Sequence, residues 1–293
     1  MSASRRATLV GVAILLISPS LRSGATSKWN IRINETRGPI RAADTKTPIG
    51  HEMLSEVLAG PTNGSDNGYV IFTRTPGGAH GPSLFTLPDD HLYLVLEGRM
   101  SIQIGTDTFV VKRYEGVQVP ANTPHEVWNA GAEPEAHLEV IAPGSSRDLL
   151  SMLTAAKPRK VENAAQYIRT PRLPAEAELK PGLNGARFVS RETGSSTQMR
   201  IDSTLPGAGG PKTHIHKFVQ VYFSIEGQTT VEYGLNTYPL PRYSIAVIQP
   251  GVVHTNYNRS ASIERHVVLL MPQPGPDDGP LDVEYERKGA IAQ

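Results

Sequence analysis

The chain has 293 residues, and its 29 basic and 28 acidic side chains give a formal net charge of +1. Because the charge is near zero and no cluster of lysine or arginine occurs, we predict no nucleic-acid partner. Cysteine is absent, which excludes thiolate metal sites, disulfides and cysteine nucleophiles. The 24 prolines and 27 glycines favour short strands joined by turns, in one large domain or two modest ones.

The N-terminus has the pattern of a secretory signal peptide. Arg5 and Arg6 precede the apolar run Leu9–Ile17, and small residues follow at Ser23–Ser27. We expect residues 1–27 to be removed and the mature protein to be secreted or periplasmic, with a mis-chosen start codon as the alternative. The run is shorter than the roughly 20 residues of a membrane-spanning helix, so no membrane span is expected after cleavage.

The chain contains an internal repeat. The segment His91–Asn129 aligns without a gap on Gln220–Asn258, at an offset of 129 residues. Two copies of one domain are the simplest interpretation. We place an N-terminal domain at residues 28–150, a linker at 151–181 and a C-terminal domain at 182–293. The identical pairs include Tyr93/Tyr222, Glu97/Glu226, Gly98/Gly227, Arg113/Arg242, Tyr114/Tyr243 and His125/His254.

Each copy is rich in strand signals. Runs that are apolar or alternating, with many Val, Ile, Tyr and Phe residues, are separated by glycine. Between the copies, Arg147–Ala156 is the best helical candidate, and Lys157 and Pro158 end it. Residues 160–181 form a proline-bearing connector. The predicted strands are Leu92–Leu96, Ser101–Ile104, Phe109–Val111, Val221–Ile225, Thr229–Tyr233 and Ser244–Ile248, with a further short strand at Leu281–Tyr285.

The second copy contains a set of side chains that predicts a metal site. Because side chains of a strand alternate between faces, His214, His216 and Gln220 point the same way, with the two histidines about 7 Å apart. His254 follows the tight turn at Pro250 and is expected to arrive from a facing strand. Three imidazoles and an amide oxygen suit one divalent transition metal, namely iron, manganese, nickel, copper, cobalt or zinc. The alternative is that the histidines only line a polar barrel mouth.

These residues form two motifs, H-x-H-x3-Q-x6-G and P-G-x2-H-x3-N, which together resemble the paired motifs of the cupin superfamily. The chain looks like a bicupin and is similar to quercetin dioxygenase-like proteins, over residues 73–143 and 200–272. The resemblance implies an all-β fold of two tandem cupin barrels with a short helical linker. Each barrel would be a double-stranded β-helix, or jelly roll, with any metal in its interior.

Gln220 departs from this family, because most metal-binding cupins place Glu there. An amide oxygen is neutral, so a divalent ion at this site keeps its full double charge. We expect weaker metal affinity, a preference for anionic ligands and no general-base role for this side chain. The base that quercetinase-like enzymes are thought to take from that carboxylate has to come from the substrate, a water or another side chain.

The first copy lacks the histidine pair, since Phe85 and Leu87 occupy the equivalent positions. We therefore expect no metal in the first barrel and expect these two residues to fill its core. The alternative is that they line a small ligand cavity, with His91 and His125 as hydrogen-bonding or proton-transfer groups.

In the second copy, Tyr222 and Phe218 share the parity of the ligands and are candidates for the substrate pocket. His51, His137 and His266 have no sequence partners and are expected at the surface or in a satisfied core.

The expected function is that of a metal-dependent dioxygenase acting on a chelating phenolic or enolic small molecule, as the quercetinase-like resemblance implies. One alternative is a metal-dependent isomerase or lyase on a hydroxy-carbonyl compound. Another is a non-catalytic cupin that binds a small molecule. The residues by themselves identify no catalytic group, and a homo-oligomer is an option that the sequence leaves open.

Overall fold

The computed structural model describes residues 29–36, 38–144, 148–182 and 184–284, and the signal peptide predicted at residues 1–27 lies outside them. Four β-sheets account for most of this part of the chain. They form two barrels in sequence order, so the predicted all-β fold of two tandem jelly-roll barrels is confirmed. Among the described residues, no helix is long and apolar enough to cross a membrane.

The elements of the two halves follow one another in similar order. Up to residue 169 they are β1 (Asn30–Ile33), β2 (Ile40–Ala42), β3 (Leu54–Ala59), β4 (Tyr69–Thr75), β5 (Phe85–Thr86), β6 (Asp90–Glu97), β7 (Arg99–Ile104), β8 (Asp107–Lys112), β9 (Gly116–Val119), β10 (His125–Trp128), β11 (Glu135–Ala142), α1 (Leu149–Met152), β12 (Thr154–Ala155) and β13 (Ile168–Arg169). From residue 184 they are β14 (Asn184–Val189), β15 (Gln198–Thr204), β16 (His214–Ile215), β17 (Val219–Glu226), β18 (Gln228–Tyr233), β19 (Asn236–Pro241), β20 (Ser244–Ile248), β21 (His254–Tyr257), β22 (Glu264–Met271) and β23 (Leu281–Asp282). Short 3-10 helices lie at Ala164–Tyr167, Glu176–Glu178 and Arg191–Thr193.

Each barrel consists of a large inner sheet and a five-stranded outer sheet. In the first barrel the inner order is β1-β3-β4-β11-β6-β9-β13 and the outer order is β12-β5-β10-β7-β8. In the second barrel the inner order is β14-β15-β22-β17-β20-β2 and the outer order is β19-β18-β21-β16-β23. Strand β2 lies between β1 and β3 of the first barrel in sequence but pairs with β20 of the second. The segment that the predicted boundary assigns to the N-terminal domain therefore ties the two barrels together.

The two inner sheets pack against each other and form the main core. Phe72 of β4 contacts Tyr243 and Phe223 of the second half, with ring centroids 4.9 and 6.2 Å apart. Strands of the inner sheets are covered on both faces, and β3 and β11 are buried at every residue. This burial explains the nearly continuous apolar runs in the sequence. Outer strands such as β8 and β10 instead alternate in burial, because one of their faces meets solvent.

The linker helix is shorter than predicted. Helix α1 spans only Leu149–Met152, and the Asp148 side chain caps its first turn. The prediction of a helix over Arg147–Ala156 is wrong at its C-terminal end, because Thr154–Ala155 pairs with β5 as a short strand. So short a segment has little helical stability of its own, and hydrogen bonds to a sheet edge outweigh it. Residues 145–147 lie outside the described part of the chain.

Repeated residues also join the barrels across their interface. Tyr243 and Arg242 of the second barrel donate to the Glu97 carboxylate of the first, at 2.7 and 2.8 Å. The equivalent residues of the opposite barrels, Tyr114 and Glu226, are 3.3 Å apart. The identical Glu-Gly and Arg-Tyr positions of the two copies thus have a structural role in holding the barrels together.

Candidate metal centre

Alternate residues of one chain segment line a single cavity in the second barrel. His214, His216, Phe218, Gln220 and Tyr222 all face it, which is the period of two that an extended chain produces. The cavity has a volume of about 170 Å³. A cavity of about 150 Å³ accommodates benzene, so this one has room for one small molecule.

Neighbouring strands of the outer sheet bring two of the histidines together. His214 on β16 is directly opposite His254 on β21, and their ring centroids are 4.3 Å apart. Gly251 shapes the turn before β21 with a φ of 76°, and its N–H donates to the His216 carbonyl at 2.8 Å. His254 therefore comes from the adjacent strand of the same sheet and not from a facing strand. Gln220 on β17 is the residue that lies in the facing, inner sheet.

The imidazoles of His214, His216 and His254 converge. One ring nitrogen from each lies within 4.8 Å of the other two, and all three side chains are buried. Three nitrogens that each lie about 2.1 Å from one ion are roughly 3.0–3.6 Å from one another, so the rings have to move closer together when an ion binds. Three neutral imidazoles suit a first-row divalent ion.

Hydrogen bonds fix the tautomers of two of these rings. His214 Nδ1–H donates to the Lys212 carbonyl at 2.7 Å, and His254 Nδ1–H donates to the Val252 carbonyl at 2.9 Å. Each ring therefore carries its lone pair on Nε2. Nε2 of His254 is buried and has no hydrogen-bond partner among the described residues. Burial lowers the pKa of His254 to about 3, so this ring is neutral, as a metal ligand must be.

Gln220 lies beside the cluster and orients His216. His216 Nε2–H donates to Gln220 Oε1 at 2.8 Å, which leaves the lone pair of His216 on Nδ1. That nitrogen is buried without a hydrogen-bond partner in the described part of the chain. The ring stacks on Phe218, with centroids 4.1 Å apart, and burial lowers its pKa. The Gln220 oxygen becomes available to an ion only when its hydrogen bond with His216 breaks.

The sequence motifs do not include two charged residues of this cavity. Arg200 and Asp202 on β15 line it together with the histidines. Asp202 is 1% exposed, and Arg200 Nε lies 3.0 Å from its Oδ2. The repeat contained the signal that identifies them. Extended to β15, the offset of 129 places Ile71 and Thr73 at the equivalent positions, so the two charges occur only in the copy with the histidine pair.

Behind Asp202 lies a buried ion pair that the first barrel repeats. His266 Nδ1 donates to Glu264 Oε2 at 2.9 Å, and the equivalent His137 and Glu135 are 2.7 Å apart. Burial by itself lowers the pKa of His266, but the negative charge of Glu264 outweighs burial and raises it. Both histidines are fully buried and not at the surface; both ring nitrogens of His137 have carboxylate partners, whereas Nε2 of His266 has no hydrogen-bond partner among the described residues.

The interior of the first barrel is filled. Phe85 and Leu87, which replace the histidine pair, are 4% and 2% exposed and belong to an apolar cluster. The ring nitrogens His91 Nδ1 and His125 Nε2 lie 3.0 Å apart. The cavity beside His91 has about 10 Å³, which is close to the space of one water molecule. The space beside these two histidines is therefore too small for a ligand.

Protein groups also occupy the hydrogen-bonding capacity of His91. Glu139 on β11 accepts a hydrogen bond from its Nε2 at 3.0 Å, and the Tyr93 hydroxyl lies 2.8 Å from its Nδ1. The Thr73 hydroxyl donates to the same Glu139 carboxylate. Both ring nitrogens of His91 therefore have hydrogen-bond partners, whereas Nε2 of His254 in the second barrel has none among the described residues.

The chain crosses the mouths of the two barrels in different ways. In the first barrel, α1 carries Leu149 and Met152, 5% and 2% exposed, against the apolar cluster before β12 pairs with β5. In the second barrel, residues 273–280 lead to β23, which pairs with β16. Pro274 and Pro280 of this segment line the cavity. Apolar side chains thus plug one mouth, and a proline-rich segment borders the other.

Comparison with known proteins identifies a domain in the first half. The Cupin_2 family model, described as a cupin domain, matches residues 70–141, which run from β4 to β11. No curated protein matches the chain significantly by sequence.

Solved structures resemble both halves. The chain is similar to protein Ylba from E. coli, with 16% identity and a TM-score of 0.59 over 84% of this chain and 92% of that one. It is similar to a mutant of the salicylate 1,2-dioxygenase from Pseudoaminobacter salicylatoxidans, with 15% identity and a TM-score of 0.57 over 77% and 78% of the chains. It is also similar to a variant oxalate decarboxylase from Bacillus subtilis, with 13% identity and a TM-score of 0.52 over 75% and 72%. The structural similarity establishes a common fold, and identities as low as these leave the activity open.

Proposed function

We propose that this chain, which has a cupin domain at residues 70–141 and a converging histidine cluster in its second barrel, is a bicupin dioxygenase. It would be a metal-dependent oxidoreductase for a small phenolic or enolic molecule that chelates the metal. The observation that carries this proposal is the approach of His214, His216 and His254 nitrogens to within 4.8 Å of one another, beside a cavity large enough for one small molecule.

The residues present fit a divalent transition metal. His214 and His254 offer Nε2, because Nδ1 of each donates to a backbone carbonyl, and a ring nitrogen of His216 completes the set. A first-row ion held there would polarise an oxygen atom of the substrate and, if redox-active, allow reaction with dioxygen. Because neither the imidazoles nor Gln220 carries a negative charge, an anionic substrate oxygen is the natural complement to such an ion.

The walls of the cavity suit a flat molecule with an acidic group. Phe218, Tyr222 and Leu270 are buried and supply aromatic and aliphatic surface. Arg200 supplies a guanidinium group, which pairs well with a carboxylate or another anionic oxygen. The chemistry of the lining therefore favours a small aromatic or enolic acid over a sugar or a simple hydrocarbon.

The similarity to a salicylate 1,2-dioxygenase supports the oxygenase proposal. The second candidate is a metal-dependent lyase or isomerase that acts on a hydroxy-carbonyl acid without oxygen. Arg200 favours it, because this side chain suits a carboxylate regardless of whether oxygen takes part, and the similarity to oxalate decarboxylase is in keeping with it.

Oxygen uptake separates these candidates. Protein purified without a histidine tag is loaded with Fe(II), Mn(II), Ni(II), Cu(II), Co(II) or Zn(II), and oxygen consumption is followed with a panel of flavonols, diketones, catechols and hydroxybenzoates. The proposal predicts uptake with at least one redox-active metal and loss of uptake in His214→Ala. Turnover of hydroxy-carbonyl acids under nitrogen would instead identify the lyase or isomerase. Tight binding of a panel member without turnover under either gas would identify a binding protein.

We also propose that residues 1–27 direct export, so that the mature protein acts in the periplasm or outside the cell. The charge pattern at Arg5 and Arg6 and the apolar run Leu9–Ile17 support this proposal. Intact mass of protein recovered from a periplasmic or culture-medium fraction tests it. A mass that begins near Ser23–Ser27 is expected, and a full-length mass in the cytoplasm alone would contradict export.

A further inference from the structure

Asp202 is a buried carboxylate that the protein leaves without a hydrogen bond. Its side chain is 1% exposed and faces the cavity that contains the histidine cluster. Neither of its oxygens accepts a hydrogen bond from a described residue. Arg200 Nε lies 3.0 Å from Oδ2, close enough for an ion pair but outside hydrogen-bonding angles. Such a group costs free energy to bury, so its presence calls for a partner that the protein itself does not supply.

The first barrel serves as an internal control for this group. At the positions equivalent to Arg200 and Asp202 it has Ile71 and Thr73. Ile71 belongs to the apolar filling of that barrel, and the Thr73 hydroxyl donates to Glu139. The charged pair therefore accompanies the histidine cluster and is replaced by apolar or fully bonded residues where the cluster is missing. The first barrel does place a carboxylate, Glu139, 3.3 Å from Nε2 of its buried His137, but Glu139 accepts hydrogen bonds from the protein, whereas Asp202 accepts none from the described residues.

Two basic side chains lie near Asp202. Arg200 precedes it on β15, and His266 on β22 lies with Nε2 3.9 Å from Oδ2. Burial lowers the pKa of His266, but the negative charge of Glu264 outweighs burial and raises it. Tyr222 on β17 faces the same space and stays neutral, because burial raises its pKa. Asp202 thus lies between the guanidinium group of Arg200 and the ring of His266.

The backbone leaves space for this carboxylate. Gly185 on β14 is directly opposite Asp202, and a Cβ atom at Gly185 would lie 2.4 Å from Asp202 Oδ1. Any side chain at that position would push the carboxylate out of its place. The arrangement of β14, β15 and β22 therefore holds the carboxylate at the cavity wall with its oxygens free of protein donors.

We propose that Asp202 is the proton acceptor of this site and that the substrate is a small molecule with an acidic hydroxyl group, such as a phenol or an enol. The proposal rests on the function proposed above. In the step, the substrate O–H bond breaks and an O–H bond to Asp202 forms. The electron pair stays on the substrate oxygen, which becomes anionic and faces the three imidazoles. Asp202 then takes the role that the neutral Gln220 cannot have.

The cavity size makes this step geometrically reasonable. At about 170 Å³ it holds a single small ring, so a molecule beside His214 and His254 is also beside Asp202. Arg200 is a positioning residue in this scheme, because it fixes the carboxylate and offers its remaining guanidinium nitrogens, which have no described protein partner, to an acidic substituent of the substrate.

The test uses 4-nitrocatechol, an acidic chelating phenol whose visible spectrum changes when it ionises. The full chain is loaded with Fe(II) under nitrogen, its metal content is measured, and the rate of probe ionisation on binding is followed by stopped flow. Below the pH at which the free probe ionises, Asp202→Asn is expected to slow this rate by about 100-fold or more. Above that pH the proton is already gone, and the variant and the wild type should bind at similar rates.

Controls make the outcome specific. Asp90→Asn removes a partly buried carboxylate from the first barrel, away from the cavity, and should leave the rate unchanged at every pH. Asp202→Glu should restore part of the rate, because it returns a carboxylate. If Asp202→Asn loses metal or stability, Gly185→Ala takes its place. It keeps the carboxylate but displaces it, and a slowing of about tenfold confined to low pH is expected.

The possible failures are distinguishable. If metal-loaded Asp202→Asn, or Gly185→Ala in its place, ionises the probe at the wild-type rate below the pH of free ionisation, Asp202 is not the base. The proposed metal-dependent function then stands without it. If the wild-type protein takes up no metal, the proposed function itself fails and the role of Asp202 fails with it.

Discussion

The two barrels of this chain share their strands and differ in what fills them. Both have a buried glutamate–histidine pair on a central strand of the inner sheet, Glu135 with His137 on β11 and Glu264 with His266 on β22. In the first barrel, apolar residues and mutually bonded polar groups use all the space, and the remaining cavity has about 10 Å³. In the second barrel the cavity has about 170 Å³ and is lined by groups without protein partners.

Each barrel has a further carboxylate in its interior beside the buried glutamate–histidine pair, and the two carboxylates differ in their hydrogen bonds. In the first barrel it is Glu139, which accepts hydrogen bonds from His91 and Thr73 and is saturated by the protein. In the second barrel, Val268 replaces that glutamate, and Asp202 brings a carboxylate on another strand. Asp202 accepts no hydrogen bond from the described residues. The interior polar groups of the first barrel thus stabilise the fold, whereas those of the second barrel are available to a ligand.

The largest difference should appear in metal binding. His254→Ala is expected to weaken metal affinity by about 100-fold or more, since even the loss of a residue that only orients a ligand costs about 10- to 100-fold. His125→Ala changes the equivalent residue of the first barrel and should leave the metal content unchanged. Elemental analysis of both variants, purified without a histidine tag, checks this. Equal losses would mean that the two barrels do not differ in the way described.

The buried ion pair of the first barrel should matter for stability and not for metal. His137→Gln leaves Glu135 and Glu139 buried without their positive partner, and we expect a loss of about 3–5 kcal/mol in the free energy of unfolding. Denaturant titration measures this loss, and His51→Gln at the exposed His51 is the matched control. A variant with wild-type stability but less metal would place function in the first barrel and contradict the comparison.

The plug of the first barrel can be tested in the same way. Leu149 is 5% exposed in an apolar cluster, so Leu149→Ala should cost about 2–5 kcal/mol of stability by leaving a cavity. Pro274→Ala alters the corresponding crossing segment of the second barrel, where no apolar plug exists, and should change stability by less than about 1 kcal/mol. Thermal and denaturant unfolding of both variants compare the two mouths. Similar losses of stability in both variants would show that the mouth of the second barrel is also tightly packed.

Much of this architecture follows from the sequence. The 129-residue repeat and the alternation of residues 214 to 222 predict two barrels and one face of candidate ligands, because strand periodicity is a local property. The end of α1 was predicted incorrectly, since pairing of Thr154–Ala155 with β5 is a tertiary interaction. The roles of Arg200 and Asp202 also depend on distant strands. Their positions lie outside the motifs that predict the metal site, and only the folded sheet shows that they share a cavity with His214.

The buried ion pair of Glu135 and His137 in the first barrel predicts a pH dependence of stability that the second barrel should not share to the same extent. Burial opposes the charge on His137, but Glu135 and Glu139 outweigh burial and raise its pKa from 6.5 to about 10. A raised pKa in the folded state stabilises the protein fully below pH 6.5, and this contribution is lost as pH rises through about 10. Unfolding free energy measured across this window should therefore fall more steeply for the wild type than for His137→Gln. Parallel slopes would argue that His137 is neutral in the folded protein.

The smallest expected change concerns the departure from the usual ligand set. Gln220→Glu should tighten metal retention by about tenfold, or about 1.4 kcal/mol, because a carboxylate adds a negative charge next to the ion. It should also still accept the hydrogen bond from His216. Competition with a chelator measures the change, and His91→Glu, at the equivalent position of the first barrel, is the control that should retain no extra metal. Looser retention in Gln220→Glu would indicate that residue 220 only orients His216.

The central claim is that one ion is bound per chain and that it lies in the second barrel. Anomalous diffraction from crystals of the metal-loaded protein, recorded at the absorption edge of the ion, tests this claim directly. We expect one strong peak per chain, between the imidazoles of His214, His216 and His254. A peak beside His91 and His125, or no peak in either barrel, would contradict it.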